Sequence, residues 1–214
     1  MDREKANREG KLRTTWTEPD QEYDEAVRAC VHAVLADHAI TRGVASFVGR
    51  IAPAGRSNVL AQKLLAHTVP GVPDIYQGCD LTDLSLVDPD NRRPVDYAAR
   101  RDRLARLDAG EAPSDLDDEK LLVVSRSLRL RRAHTEWFGA GSTYQPLPCT
   151  SRHAVAFVRA GELVTVAARL SLGLEGASHQ TVALPEGEWQ DLPPGPAYAE
   201  RNRLGPPPIG WPAA

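Results

Sequence analysis

The sequence predicts an α/β segment over residues 1–135, a small antiparallel β-sandwich over 140–192, and an irregular proline-rich tail over 193–214. Three observations predict it. Tyr23, Ala26, Val27, Cys30, Val31, Val34 and Leu35 recur at spacings of three and four, the pattern of an amphipathic helix. A second helical stretch carrying Leu64-Leu65 passes through Pro70-Gly71 into the β-prone run 72–76, and helix followed by strand is the rhythm of a parallel sheet. After His134 the composition changes: Gly139, Gly141, Pro146 and Pro148 mark a linker, and short apolar runs separated by turn residues follow, as in a sandwich.

The elements follow in order. Residues 1–14 are charged and lack an apolar stripe, so they are a solvated helix or a frayed end. Thr17-Glu18-Pro19-Asp20 is a helix entry with proline near the first turn. Asp37 and Gly43 bracket a break, residues 44–51 begin another helix, and Pro53-Ala54-Gly55 is expected to turn the chain. Ser57 or Asn58 then caps a helix bearing Val59-Leu60 and Leu64-Leu65. The run 72–76, flanked by Pro70-Gly71 and Gly78, is expected to be a buried strand emptying into a polar loop that ends near Pro94. Helices follow over 94–108 and 114–133. Ser114 is expected as N-cap of the second, which has acids in its first turn and arginines in its last, matching the helix dipole. Strands are expected at 153–159, 163–168, 181–184 and 188–192, the first two joined by a tight turn at Ala160-Gly161-Glu162.

Bulk properties exclude several classes. The net charge of −3 comes with interspersed signs, so neither basic excess nor basic clustering points to nucleic acid or an anionic membrane. No run of about eighteen apolar residues spans a bilayer. The charged start MDREKANREGKLRTTW has no apolar core, so it is not a secretory signal. Cys30, Cys79 and Cys149 are widely spaced and odd in number, which supports neither a disulfide framework nor a zinc site and suits a reducing cytoplasm. No cofactor motif is present: GxGxxG and GxxxxGK[ST] are both missing. Asp88 and Asp90 have the spacing that opens a calcium loop, but Arg93 and Ala99 stand where its glycine and closing acid belong. No two histidines lie three or four apart as ligands; His67 and His153 are read as structural.

The loop is where chemistry concentrates. Asp80, Asp83, Asp88, Asp90, Asn91, Arg92 and Arg93 supply carboxylates, an amide and guanidiniums, the planar groups that hold sugar hydroxyls. Spacing alone favours a solvated loop with internal Asp–Arg pairs. Asp74 lies inside the expected strand, where it is read as tethering a neighbouring element rather than forming a catalytic pair with Asp80.

Two motifs carry a resemblance. PGVPDIYQG at 70–78, followed by DLSLVDPDNRRPVD at 83–96, is similar to the last barrel strand and its loop in maltooligosyltrehalose synthases, enzymes of the α-amylase type. The first motif marks only the wider superfamily, and the second is far more particular. Lys11-Leu12-Arg13-Thr14-Thr15-Trp16 resembles the family's K-x-H-T-S-W, with arginine in place of the usual histidine. Cys79, Asp80 and Thr82 depart from the family's T-E-L-W, leaving Asp80 at the acidic position one methylene shorter. The likeness extends from about Lys5 to Asp191.

The resemblance implies a fold: the C-terminal part of a (β/α)8 TIM barrel followed by a β-sandwich. It implies an activity: conversion of the reducing-end α-1,4 linkage of a maltooligosaccharide into the α,α-1,1 linkage of maltooligosyltrehalose. It implies substrate-binding roles for Trp16, Tyr76, Gln77, Asp80, Asp88, Asn91, Arg92 and Arg93. For Trp16 the competing role is a hydrophobic staple at a helix start. No residue takes a catalytic role, because the family's three acids lie upstream of the matching region, so the chain is expected to be inactive alone. The implied partners are a maltooligosaccharide, bound through the complete barrel, and an upstream barrel section. The alternatives are an α-amylase-type hydrolase section, or a non-catalytic carbohydrate-binding module or inert remnant.

Overall fold

A computed structural model describes residues 12–85, 92–174, 181–187 and 189. The expectations for residues 1–11, for most of the fourth strand at 188–192 and for the tail lie outside the described residues. The chain divides into two units, one comprising Met1–Ala52 and Ile75–Tyr97, the other Pro53–Asp74 and Ala98–Ala214.

In the first unit, helix α1 (Gln21–Ala36) begins at Asp20, whose carboxylate accepts from the Tyr23 amide at 3.0 Å. The start is three residues later than Thr17 because Asp20 supplies the cap. Thr14 organises this entry: its buried hydroxyl accepts from the Asp20 amide at 3.1 Å and donates to Asp24 at 3.3 Å. Asp37 alone separates α1 from α2 (His38–Thr68). Its amide bonds back to Ala33, and its carboxylate accepts from the amides of Ala39 (2.7 Å) and Ile40 (3.2 Å), so one residue closes one helix and opens the next.

The expected turn at Pro53-Ala54-Gly55 is corrected: α2 continues through it with Pro53 inside. An interior proline costs one i→i−4 bond, about 3 kcal/mol. The helix nevertheless continues, and Ser171 Oγ donates to the Ala54 carbonyl at 3.1 Å just past the proline. The expected break at Gly43 and the caps at Ser57 or Asn58 are likewise absent, those residues being interior to α2.

The buried strand expected at 72–76 is also corrected. These residues form no strand, and Val72 is 97% exposed. A strand exists only where a neighbouring strand accepts from and donates to it. The described residues contain no strand that could flank it, so the β-prone side chains stay in the open.

The second unit contains the C-terminal half of α2, the helices α3 (Tyr97–Asp108, whose first residue belongs to the first unit) and α4 (Leu116–Ala133), and a sheet. Both helices match their expected positions, starting two to three residues late. Asp115, not Ser114, is the N-cap of α4, accepting from the Asp118 amide at 2.8 Å. Ser114 instead gives its hydroxyl (2.7 Å) and amide (3.0 Å) to the Asp118 carboxylate.

The sheet has antiparallel order β1–β2–β3, with β1 at Tyr144–Pro146, β2 at Ala154–Arg159 and β3 at Leu163–Ala168. Ala160 and Gly161 take φ of 56° and 75°, the left-handed geometry that tight hairpins require. β1 was not expected, and the third expected strand is reduced to a bridge between Cys149 and Val182. The described residues therefore hold one sheet rather than two facing layers. Pairing of Phe157 with Thr165 and of Arg159 with Leu163 puts these four residues on one face, and all four are buried.

Candidate functional site

The described part of the polar loop is built by two turns. The amide of Cys79 bonds to the Tyr76 carbonyl at 3.2 Å, and that of Leu81 to Gly78 at 3.4 Å. Gly78 has φ of 78°, a conformation that a side chain would strain. Leu81 is buried and anchors the turn. Asp83 then folds the chain locally, accepting from the Ser85 amide (2.9 Å) and hydroxyl (2.6 Å). At the far side, Gln77 Nε2 donates to the Arg93 carbonyl at 3.4 Å, a long bond that joins the two ends of the loop.

The structure thus brings Gln77 and Arg93 together and leaves the faces of Tyr76, Arg92 and Arg93 open to solvent, with Asp80 half-buried. Asp88 and Asn91 lie outside the described residues. Trp16 sits on a separate turn, in which the Glu18 amide bonds to the Thr15 hydroxyl at 2.9 Å and the Thr15 amide to the Glu18 carbonyl at 3.1 Å. Its surface is 46% exposed. Among the described residues no group of three His, Cys, Asp or Glu side chains could hold a metal ion.

The strongest electrostatic cluster was not singled out from sequence, and it lies in the second unit. Asp118 is fully buried and receives Arg103 (2.6 Å), Arg106 (3.0 Å) and both Ser114 groups. Burial pushes its carboxyl up, but the Ser114 hydroxyl and amide and the two guanidiniums outweigh burial and hold it well below the usual carboxylate range. Arg56 forms a two-pronged pair with buried Glu119. These pairs run between α3 and α4 and between α2 and α4, so they tie helices together. Only the four-residue spacing of Ser114 and Asp118 hinted at the cluster.

No family model matches the chain. "Putative maltooligosyl trehalose synthase" of Mycobacterium tuberculosis is 39% identical over 193 residues, covering 88% of this chain and 24% of that protein. Among solved structures, maltooligosyltrehalose synthase from Arthrobacter ramosus is 40% identical over 83% of this chain and 24% of its own, with a TM-score of 0.72. A mutant of the same enzyme aligns over 94% of this chain and 27% of its own at 38% identity, with a TM-score of 0.79. The chain spans about a quarter of the length of the relatives it matches. The resemblance carried by the two motifs therefore holds over most of the sequence, and the chain is the counterpart of one section of these synthases. No helix among the described residues is long and apolar enough to cross a membrane.

Proposed function

We propose that this chain is the section of a maltooligosyltrehalose synthase in which residues 72–76 would become the last barrel strand once flanked by the rest of the enzyme, together with its loop, the helices around it and the β domain. The single observation that carries the reading is the 39–40% identity over more than four fifths of the chain, spanning the loop at 83–96. In the complete enzyme a placed carboxylate would take the terminal glucosyl linkage into a covalent glycosyl-enzyme. The 1-hydroxyl of the released glucose, rather than water, would then attack it. Success depends on holding that glucose and keeping water out. The loop's contribution is to retention: Arg92 and Arg93 offer several donors each, Asp80 and Asp88 accept from hydroxyls, and Trp16 and Tyr76 present apolar ring faces to a pyranose. The carboxyl pair is contributed by the three quarters of the enzyme that this chain does not span, so the chain by itself transfers nothing. The site is reached from the cytoplasm and requires no cofactor.

Incubation of the purified chain with maltopentaose tests this. No trehalose-ended isomer is expected. Measurable conversion, abolished by Asp74→Asn or Asp80→Asn, would show a self-contained catalytic centre and overturn the reading.

A further inference from the structure

We infer that Thr14 and Asp24 form a buried pair that fixes the turn bearing Trp16, and that this pair sets how tightly sugar is held without taking part in the reaction. The pair itself is read from geometry; the sugar at Trp16 rests on the proposed function.

Of the sixteen residues of α1, Asp24 alone is buried, at 5% exposed. Aspartate is among the side chains most often left in water, and burying its charge is costly unless hydrogen bonds replace the lost hydration. Thr14, itself 0% exposed, lies against it and donates its hydroxyl to Asp24 Oδ2 at 3.3 Å across ten residues of chain. The same hydroxyl accepts from the Asp20 amide at 3.1 Å. One side chain thus uses its donor and an acceptor lone pair at once, which a methyl group in the same place cannot do. Capping of α1 does not need the bond to Asp24, because Asp20 already accepts from the Tyr23 amide. The buried carboxylate therefore holds the segment before the helix rather than the helix itself.

That segment is the turn of Trp16. Residues 12–20 belong to no helix or strand, so their course depends on local bonds of this kind. Thr15 and Glu18 close the turn on itself, amide to hydroxyl and amide to carbonyl. Thr14 joins the closed turn to α1, through Asp20 on one side and Asp24 on the other. Trp16 stands between these anchors with nearly half of its surface open. A side chain already held in its bound orientation gives up less entropy when a ligand arrives, so the affinity of a stacked indole depends on what fixes its backbone. Thr14 and Asp24 are too deeply buried to touch a sugar and act through Trp16, as positioning residues. A contact of this kind is made equally before and during the reaction, so its loss weakens binding and leaves turnover alone.

The test uses the Arthrobacter ramosus synthase with this chain in exchange for the matching section, supplied with maltopentaose. Thr14→Val keeps the shape and removes the hydroxyl, and Thr14→Ser keeps the hydroxyl. Thr14→Val should raise KM about tenfold with kcat within about twofold of the parent, while Thr14→Ser keeps the parent KM. Trp16→Ala should raise KM by a similar factor, and adding Thr14→Val to it should cost no more than about twofold further, because both changes remove one contact. Should the chimera not turn over, the dissociation constant of maltopentaose replaces KM. A lowered melting temperature with KM unmoved overturns the inference, as do losses that multiply in the double variant. If Thr14→Val does not melt cooperatively, Asp24→Ala removes the acceptor from the other side and gives the same readout. Hydrogen exchange in the full chain, read without sugar, tests the pair by itself. Thr14→Val should speed exchange of the Glu18 and Asp20 amides at least about tenfold while the amides of Ala154–Arg159 keep their rates. Unchanged exchange at Asp20 overturns the inference. A chimera that follows the expected KM pattern but yields only hydrolysis products upholds the inference and sinks the functional reading; one that forms the trehalose-ended isomer with KM unmoved in Thr14→Val does the opposite.

Discussion

Arg159 in β2 donates from Nη1 to the carbonyl oxygen of Thr68, the last residue of α2, at 3.1 Å across 91 residues of chain. The last carbonyls of a helix lack intrahelical partners, and here guanidiniums supply them. Arg131 donates to the neighbouring His67 carbonyl at 2.8 Å, and Arg159 also reaches the Trp137 carbonyl at 3.1 Å. Both guanidiniums stand over the Phe138 ring, at 4.5 and 5.6 Å. The sheet, through buried Arg159, and α4, through half-buried Arg131, are thus each fastened to the end of the long helix.

Arg159→Met keeps the apolar stem and removes the donors. Two carbonyls lose their partner, which should cost about 2 kcal/mol in urea unfolding. An unchanged midpoint would mean that the arginine is replaceable by any long side chain.

Asp118→Asn removes the charge that Arg103, Arg106 and Ser114 surround. Breaking a buried pair from one side should cost about 3 kcal/mol at neutral pH. The pH sign follows from the lowered carboxyl. The unfolded chain binds this proton more readily, so the stabilisation is complete above the ordinary Asp value and drains away as pH falls below about 4. The gap between the two proteins should close in that range. A gap that stays constant down to pH 2 would contradict the assignment.

His67 lies in the same fastening and is 2% exposed, with no partner for its Nε2. Burial, then the charges of Lys63 and Arg131, lower its pKa. The unfolded imidazole is the better base, so its contribution is present above about 6.5 and lost as pH falls through and below that value. His67→Gln should flatten the decline in stability between pH 7 and 5. A steep decline retained in the variant would place its origin elsewhere.

Gly55 is interior to α2, and a methyl group there would meet nothing within 4 Å. Gly55→Ala should raise the unfolding free energy of the chain by roughly 0.5–1 kcal/mol through the unfolded state. A loss would indicate that α2 is broken at Pro53, as a proline-glycine pair would ordinarily suggest.

How much of this was legible follows from where the controlling contacts lie. The hairpin of β2 and β3 was readable because alternation, turn and pairing all fall within Ala154–Ala168. Helices α3 and α4 were readable for the same local reason. Continuation of α2 through Pro53 was not, because a proline followed two residues later by glycine ordinarily reads as a turn. Burial of Arg159 was equally hidden, because an arginine at a strand end ordinarily signals solvent. The expected strand at 72–76 had the right composition but no neighbours, and a strand is a property of a sheet rather than of a segment. In the site, motif similarity singled out Gln77 and Arg93, and the bond between them appears only in three dimensions.

The central claim is that this chain serves as one section of a maltooligosyltrehalose synthase. Its most direct test is product analysis of the Arthrobacter ramosus enzyme with this chain in place of the matching section, supplied with maltopentaose. The account predicts the trehalose-ended isomer as the main product, at a rate within about tenfold of the parent, a barrier change of roughly 1.4 kcal/mol or less. A chimera that melts cooperatively, cleaves maltopentaose and yields only reducing hydrolysis products would contradict it.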